Sequence, residues 1–490
     1  MLKELPSAVC QEAFPADPDF PQLKIASDPA LMLEMFRAHL KPLPGKVYQI
    51  QNCVPFRFRC RQSTSRCVLQ YTLRLVEPST GGELNQWVTG VVYAEEGEAQ
   101  RLWQEMGAAD PGQEIPEGWR SFEPICFIPS LQMLVQVFPY DRKLPNLCRV
   151  MSVASRFLDP LMLARLGQGQ WRVEQRDIQP TRYRTELGAA LRYTMRAHDG
   201  LTAKGQTLRC YLKVYRSQRG EGMLEFLQSL SARAGNGHGL YSVVSPIAYL
   251  RELRTLVLEE AAGTSLQQLL LGCGDWAAIV RVVGRAVAAF NQGSPLPSDG
   301  RGGRGEGDGR GVRGEGALGI NRHHSLADQF DDLKQASSLV QWACPEIRAE
   351  TKAITAAVVA GLEEVPAAPI HRDLKPDHIF LDGDRVIFID LDSVALGDPV
   401  RDPAHLFAYL AAGVGLDSMP REQARAAAVA LVEEYFAHVP KPWRKSFPVH
   451  CAGALIEVAG GIFRRQEPQW REKLTECVEE AHRILKGGLK

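Results

Sequence analysis

The sequence predicts an α+β fold in which strand-rich text comes first and helical text second. Three observations predict it. Between residues 47 and 260, short apolar and β-branched runs are separated by turn residues. From Ser265 onward, apolar residues recur at helical spacing. That helical text is broken by Ile379-Phe380-Leu381 and Val386-Ile387-Phe388-Ile389, joined by Asp382-Gly383-Asp384-Arg385, which reads as a tight hairpin.

Residues 1 to 45 are punctuated by proline, with a helical pattern from Pro29 to His39. Strands are expected at Val47–Ile50, Arg66–Leu75, Trp87–Tyr93 and Leu131–Val137, with a helix over Glu98–Met106. The same order then recurs. Ala189–Arg196 echoes Cys67–Arg74, and Tyr211–Tyr215 echoes Thr89–Tyr93. Gly220-Glu221 opens a helix as Gly97-Glu98 does, and Arg254–Glu260 echoes Leu131–Val137. Residues 1–170 therefore read as a degenerate duplicate of the sheet region at 171–262; an unrelated α+β domain is the alternative. Residues 263–490 form the helical part. Within it, 293–316 is dominated by Gly and Arg and is expected to be a disordered insertion. Amphipathic helices should fill 402–489, with loops at 413–415 and 440–442.

Composition bounds the function. The chain has 490 residues, 45% of them hydrophobic, enough for two or three domains. Lys plus Arg and Asp plus Glu each total 57, so no global charge draws the protein to nucleic acid or to an anionic membrane. No run approaches the roughly 20 apolar residues that span a bilayer. The 11 cysteines show no paired spacing, and the first residues carry no apolar leader. These features predict a cytoplasmic protein.

The hairpin carries the chemistry. Asp373 precedes its first strand, and Asp390 ends its second. Two carboxylates on one rigid ribbon suit phosphoryl transfer. One orients an attacking hydroxyl and accepts its proton, and the other holds the metal that neutralises a triphosphate.

His371-Arg372-Asp373-Leu374-Lys375-Pro376 is similar to the catalytic loop of protein kinases. The residues after this loop depart from the protein kinase pattern. Asp390 is followed by Leu391-Asp392, and Gly397-Asp398-Pro399 and Asp402 come soon after, with no room for an activation segment. This pattern resembles the aminoglycoside phosphotransferase and choline kinase family, over about residues 183–480. The resemblance implies a protein kinase-like fold with a β-sheet N-lobe and a mainly helical C-lobe. Here that fold would carry an additional N-terminal α+β lobe. It also implies ATP and Mg2+ as cofactors, and a small-molecule hydroxyl acceptor as partner.

The resemblance assigns roles to residues. Asp373 is the base, Lys375 lies beside the transferring phosphoryl, and His371 pins the loop. Asp390 is the metal ligand, with Asp392 as an assistant. Lys213, mid-strand in Tyr-Leu-Lys-Val-Tyr, clamps the nucleotide phosphates, oriented by Glu221 or Glu225. Val91 replaces that lysine in the first copy, which would then bind no nucleotide. The backbone of Glu259, Glu260 and Ala261 pairs with adenine, and Gly263 releases the chain into a helix capped by Thr264 or Ser265. Glu186–Ala190, with one glycine, is either a phosphate-covering loop or a plain turn. Gly397-Asp398-Pro399 and Asp402 either brace the catalytic loop or cap a helix locally. His378 stands where the family usually has asparagine as a metal ligand, and magnesium prefers oxygen. It is kept as a candidate ligand that weakens the second metal, favours manganese or marks lost catalysis. His323-His324 lacks a second pair at ligand spacing and is assigned no metal. The expected function is ATP-dependent phosphoryl transfer to a small molecule. The alternative is a catalytically impaired pseudokinase acting as a nucleotide-binding or scaffolding module.

Overall fold

A computed structural model describes residues 14–60, 65–107, 115–202, 204–235, 239–272, 274–293 and 323–488. The Gly/Arg-rich segment, from residue 294 on, lies outside them.

The chain begins with two helices, α1 (Leu23–Ala26) and α2 (Pro29–His39). Asp28 caps α2 by accepting from the N–H of Ala30 and Leu31, and Pro29 needs no donor there. Strands β1 (Gln49–Cys60), β2 (Arg66–Val76) and β3 (Glu83–Tyr93) precede α3 (Glu98–Gly107), β4 (Ile125–Ile128) and β5 (Met133–Val137). Helices α4 (Asn146–Val153) and α5 (Ser155–Leu163) lead to β6 (Trp171–Arg184), β7 (Gly188–Asp199) and β8 (Gly205–Tyr215). Then come α6 (Gly220–Gly235), β9 (Tyr241–Val243), β10 (Pro246–Leu250), β11 (Thr255–Glu259) and β12 (Thr264–Ser265). Helices α7 (Leu266–Leu271), α8 (Trp276–Asn291), α9 (Leu326–Ala343) and α10 (Arg348–Gly361) come next. Strands β13 (Ala368–Ile370), β14 (Ile379–Asp382), β15 (Arg385–Phe388) and β16 (Ala395–Gly397) precede α11 (Arg401–Ala411), α12 (Arg421–Ala437), α13 (Phe447–Arg464) and α14 (Trp470–Leu485).

The chain divides into two compact units. One holds Met1–Ser217, Ala248–Leu258 and Ile462–Glu472; the other holds Gln218–Ile247, Glu259–Gly461 and Lys473–Lys490.

Two five-stranded sheets characterise the first unit. Their orders are β1-β2-β3-β5-β4 and β10-β11-β8-β7-β6, the same path read in opposite directions. The register matches as well: Val68 faces Val91 between β2 and β3, and Ala190 faces Lys213 between β7 and β8. Each sheet also turns into its β5 or β11 strand through a left-handed residue, Gln132 at φ 44° and Arg254 at φ 47°. Val68, Tyr71, Leu73 and Leu75 of β2 are buried, and Phe36 of α2 joins Tyr71 edge to face at 5.1 Å.

Some elements run beyond the sequence reading. β1 extends ten residues past Ile50, through Pro55, with register slips that blur its alternation. β6 is not predicted by its sequence, because its outward face is charged and only Pro180 and Tyr183 along it are buried. Between Ser325 and Leu362, where apolar residues recur at helical spacing throughout, there are two helices, broken at Pro345.

In the second unit, β14 and β15 form the expected hairpin, with Asp382 paired to Arg385 and Gly383 at φ 60° in the turn. β12 pairs with β14, and β9 runs parallel to β15. Tyr241, Phe290 and Phe388 pack beneath the ribbon with ring centroids 5.4–5.8 Å apart. No helix of the described residues is long and apolar enough to cross a membrane.

Gly263 is required at the turn before β12. It sits at φ +80°, and a Cβ there would lie 1.9 Å from the carbonyl oxygen of Leu381. Gly383, at φ +60°, faces open space. Gly383→Ala should therefore cost only the left-handed penalty of about 1–2 kcal/mol. Gly263→Ala should cost clearly more, since β14 must move. Urea midpoints of the two variants check this; equal losses would contradict the fold described.

Candidate active site

The loop from His371 to His378 is tied down at almost every residue. Asp402, in the first turn of α11, is fully buried. Its carboxylate accepts the backbone N–H of His371 (2.7 Å) and of Arg372 (2.9 Å). Asn291, at the end of α8, donates from Nδ2 to the same carboxylate at 3.0 Å and to Pro369 O at 2.8 Å. Tyr435 donates to Asn291 Oδ1 at 3.2 Å. A buried carboxylate needs this many donors to be tolerated.

The rest of the loop is held as firmly. The His371 ring places Nε2 2.9 Å from Ile389 O, across from the hairpin. His405 Nδ1 lies 3.2 Å from Leu374 O. Arg372 reaches Asp332, which also faces Arg401 and His324. Arg401 in turn pairs with Glu457 through two nitrogens, at 2.8 and 3.1 Å. This scaffolding holds two non-glycine residues in left-handed conformations, Arg372 at φ 71° and Asp390 at φ 59°. Such conformations persist only where surrounding contacts over-determine them, and they gather at functional sites.

The loop and the hairpin bring Asp373, His378 and Asp390 together. One ligand atom from each lies within 4.8 Å of the others. Lys375 Nζ is 3.6 Å from Asp373. Burial works against the Asp373 charge, but Lys375, and behind it His378 and His405, hold its carboxyl down at about 2. It is ionised at neutral pH. Burial, reinforced by Lys375, pushes His378 down to about 4, so its ring is neutral. Its Nδ1 is 2.9 Å from Asp373 O, a carbonyl that can only accept, which places the proton on Nδ1. Nε2 therefore turns a lone pair toward the Asp390 carboxylate, 3.3 Å away. Two lone pairs at that distance repel unless a cation lies between them. The donor set, two carboxylates and a neutral imidazole, fits a divalent metal ion.

The other residues expected at the site lie on other elements. Asp392 is half-buried in the turn Leu391–Ser393 and is outside the Asp373–His378–Asp390 group. Lys213 stands half-buried in β8, within the first compact unit. Glu221 opens α6 and is half-buried, whereas Glu225 is exposed; both belong to the second unit. Glu259 ends β11, with its N–H on Ser245 O, and Glu260 and Ala261 continue in extended chain. Ser265, rather than Thr264, caps α7 by accepting from Gln268 N. Asp398 accepts from Val400 N and pairs with His450 at 2.8 Å. Asp402 braces the His371–His378 loop, and α11 has no side-chain cap. At the β6–β7 turn, Glu186 is buried at φ 66° against Arg66, Arg59 and Lys143. That turn is a pinned element rather than a glycine-rich flap.

The model of the phosphotransferase enzyme family (APH) matches residues 172–442, more than half of the chain. The chain belongs to this family. The fold is the protein kinase-like one expected: a sheet with a lysine-bearing strand and a helix, an extended connection, then helices and the β14–β15 hairpin. Family membership supports phosphoryl transfer to a small molecule. No curated protein matches the chain significantly. Among solved structures it is similar to a choline kinase from Cryptosporidium parvum Iowa II, with TM-score 0.42, 10% identity, and coverage of 69% of this chain and 97% of that one. It is also similar to a Plasmodium vivax ethanolamine kinase, with TM-score 0.39, 8% identity, and coverage of 70% and 89%. A third likeness is to amicoumacin kinase hAmiN in complex with AMP-PNP, Ca2+ and Ami, with TM-score 0.40, 13% identity, and coverage of 67% and 95%. Membership rests on the sequence match, not on these likenesses.

Several supporting residues escape the sequence reading. Asn291 sits on the apolar face of α8, and nothing local marks it. Asp332, Arg401, His405 and Glu457 are far apart in the chain, and only the fold brings them under the loop. His324 takes part through Asp332, as a structural histidine.

Asp402→Asn sets an amide NH2 against a loop N–H and should cost roughly 2–3 kcal/mol, read as a lower urea midpoint; an unchanged midpoint would refute the bracing role. His324, His378 and His405 all have pKa values lowered by burial, His378 from 6.5 to about 4. The unfolded chain therefore binds protons first, and stability should fall as pH drops from about 6.5 toward about 4. The acids Asp332, Asp373 and Asp398, all shifted down, add losses only below that window. Calorimetric Tm between pH 7.5 and 4.5 tests this, and a flat profile would contradict it.

Proposed function

We propose that the protein transfers the γ-phosphoryl group of ATP to a hydroxyl of a small molecule in the cytoplasm. The observation that carries this reading is the meeting within 4.8 Å of Asp373 and His378, on a loop whose backbone is fixed from several sides, with Asp390 at the end of the hairpin. In this reading Asp390 and His378 hold a divalent ion, with Asp392 assisting through water. Such an ion supplies charge neutralisation on the nucleotide phosphates.

The chain's own residues do the rest. Asp373 accepts a hydrogen bond from the acceptor hydroxyl and orients its oxygen. It takes the proton as the new oxygen–phosphorus bond forms and the bond to the leaving diphosphate breaks. Lys375 keeps Asp373 ionised and adds positive charge beside the moving phosphoryl. His371 fixes the loop to the hairpin and handles no proton. Lys213 holds the nucleotide phosphates with Glu221 orienting it, and the backbone of Glu259, Glu260 and Ala261 meets the adenine. Residues 1–170 are a second copy of the sheet region in which buried Val91 replaces the lysine. That copy takes no part in the chemistry. The acceptor class, in this reading, is a sugar, an amino alcohol or a related hydroxylated metabolite.

Imidazole shifts the metal preference. ATP turnover across a panel of hydroxylated metabolites should run faster with Mn2+ than with Mg2+. His378→Asn should reverse that order while keeping activity. Asp373→Ala should lower kcat by about 10²-fold or more and leave nucleotide binding intact. Nucleotide binding without turnover on any acceptor would favour the pseudokinase reading, which the single-glycine, pinned β6–β7 turn supports.

A further inference from the structure

The cysteines show no paired spacing along the sequence, yet the first sheet pairs two of them across its strands. Cys60 ends β1, Cys67 is the second residue of β2, and the register makes them Cα partners. Such partners on antiparallel strands lie roughly 4.5–5.5 Å apart, with both side chains on one face. A disulfide needs Cα atoms about 4.4–6.8 Å apart, so the backbone already meets that requirement. The next partners along the same face, Phe58 and Leu69, are both buried. Their packing fixes the register, because a slip of one residue would turn them out of the core.

The two thiols differ in access. Cys67 is fully buried, whereas Cys60 is half-buried, and among the described cysteines it is the one that is not buried. A hydrogen bond from Cys67 draws the Cys60 thiol down, against burial and the Asp17 charge; the same contact, with burial, pushes Cys67 up. The pair therefore has an accessible member suited to react as thiolate and a protected member beside it. The second sheet has no such pair. Val68 faces Val91 as Ala190 faces Lys213, which puts Ala189 in the place of Cys67, and the β6 partner of Ala189 is Tyr183.

Each cysteine directly follows an arginine that holds the β6–β7 turn. Arg59 donates from Nη2 to Thr185 O at 3.1 Å and pairs with Glu186 at 3.3 Å. Arg66 grips the same Glu186 carboxylate through two nitrogens, at 2.8 and 2.6 Å. A bond between Cys60 and Cys67 would tie together the two strands from which these arginines reach.

We propose that Cys60 and Cys67 form a reversible dithiol–disulfide pair, oxidised by a hydroperoxide and restored by a dithiol, that locks β1 to β2 beside the arginines holding the β6–β7 turn. The Cys60 thiolate attacks one oxygen of hydrogen peroxide. The O–O bond breaks, leaving a sulfenic acid on Cys60, and the hydroxide released recovers the proton that the thiol gave up. The Cys67 sulfur then attacks the Cys60 sulfur. The S–O bond breaks, and the hydroxyl leaves as water with the Cys67 proton. The two thiols lose two electrons, and the peroxide gains them. A dithiol reverses the change by exchange and leaves as its own disulfide. None of the residues assigned to phosphoryl transfer takes part.

The test treats the full-length native protein with hydrogen peroxide, alkylates the remaining thiols and weighs the tryptic peptides. Arg61 and Arg66 lie between the two cysteines, so they fall on separate peptides that only a disulfide joins. The joined pair should appear, and dithiothreitol added to the native protein should abolish it. Cys67→Ala should stop Cys60 at the sulfenic acid, which dimedone labels. If that buried substitution folds poorly, Cys60→Ser serves instead, and Cys67 should then stay reduced at the same peroxide dose. Oxidation of the unsubstituted protein should raise its urea midpoint, because the cross-link restricts the unfolded chain. Cys60 oxidised while Cys67 is still alkylated, Cys60 joined to a different cysteine, or a joined pair that dithiothreitol cannot open would overturn the proposal. A joined pair with an unchanged or lower urea midpoint would overturn the lock.

Discussion

The loop from His371 to His378 depends on one buried carboxylate. Asp402 accepts two consecutive backbone N–H groups, from His371 and Arg372, and the amide of Asn291. Consecutive N–H groups aim at one point only when the chain is sharply bent, and Arg372 supplies the bend at φ 71°. That bend carries Asp373 to the ribbon on which Asp390 sits. Without Asp402, the bend at Arg372 loses the acceptor of both backbone N–H groups that fix it, and the position of Asp373 is loosened.

Around this anchor, charge is sorted by burial. Asp332, Arg401 and Glu457 form a chain of paired ions under the loop, with His324 at one end and His405 near the other. The paired ions are multiply bonded, which is the condition for keeping charge inside a protein. The buried histidines His324, His378 and His405 are all pushed toward the neutral form. His378 is the member proposed to hold a metal ion. Neutral, and with its proton committed to Asp373 O, it presents a nitrogen lone pair where the family usually presents an amide oxygen.

Much of this was legible in the sequence, and the reasons differ by element. The hairpin was readable because Asp-Gly between two β-branched runs leaves few alternatives. The loop was readable because its chemistry compresses into consecutive residues. The common strand order was readable in Ala189–Arg196 and Tyr211–Tyr215, whose registers match those of β2 and β3. Features that depend on distance along the chain were not legible. β6 hid because its buried residues are few and its outward face is charged. Asn291, Asp332 and Glu457 hid because polar residues on helices give no local signal of a partner far away. The choice between a cap and a brace at Asp402 needed coordinates, since both readings place an aspartate at a helix start.

At the end of β6, the final turn carries Glu186 against Arg59 of β1, Arg66 of β2 and Lys143. In the reaction proposed for the site, the choice of metal turns on His378. Mn2+ bound to the full-length protein, probed by electron spin echo modulation, reports directly on nitrogen ligation. A nitrogen coupling should be present, and it should disappear in His378→Asn while Mn2+ remains bound. Mn2+ that shows no nitrogen coupling, or a coupling unchanged in that variant, would contradict a metal held by Asp390 and His378.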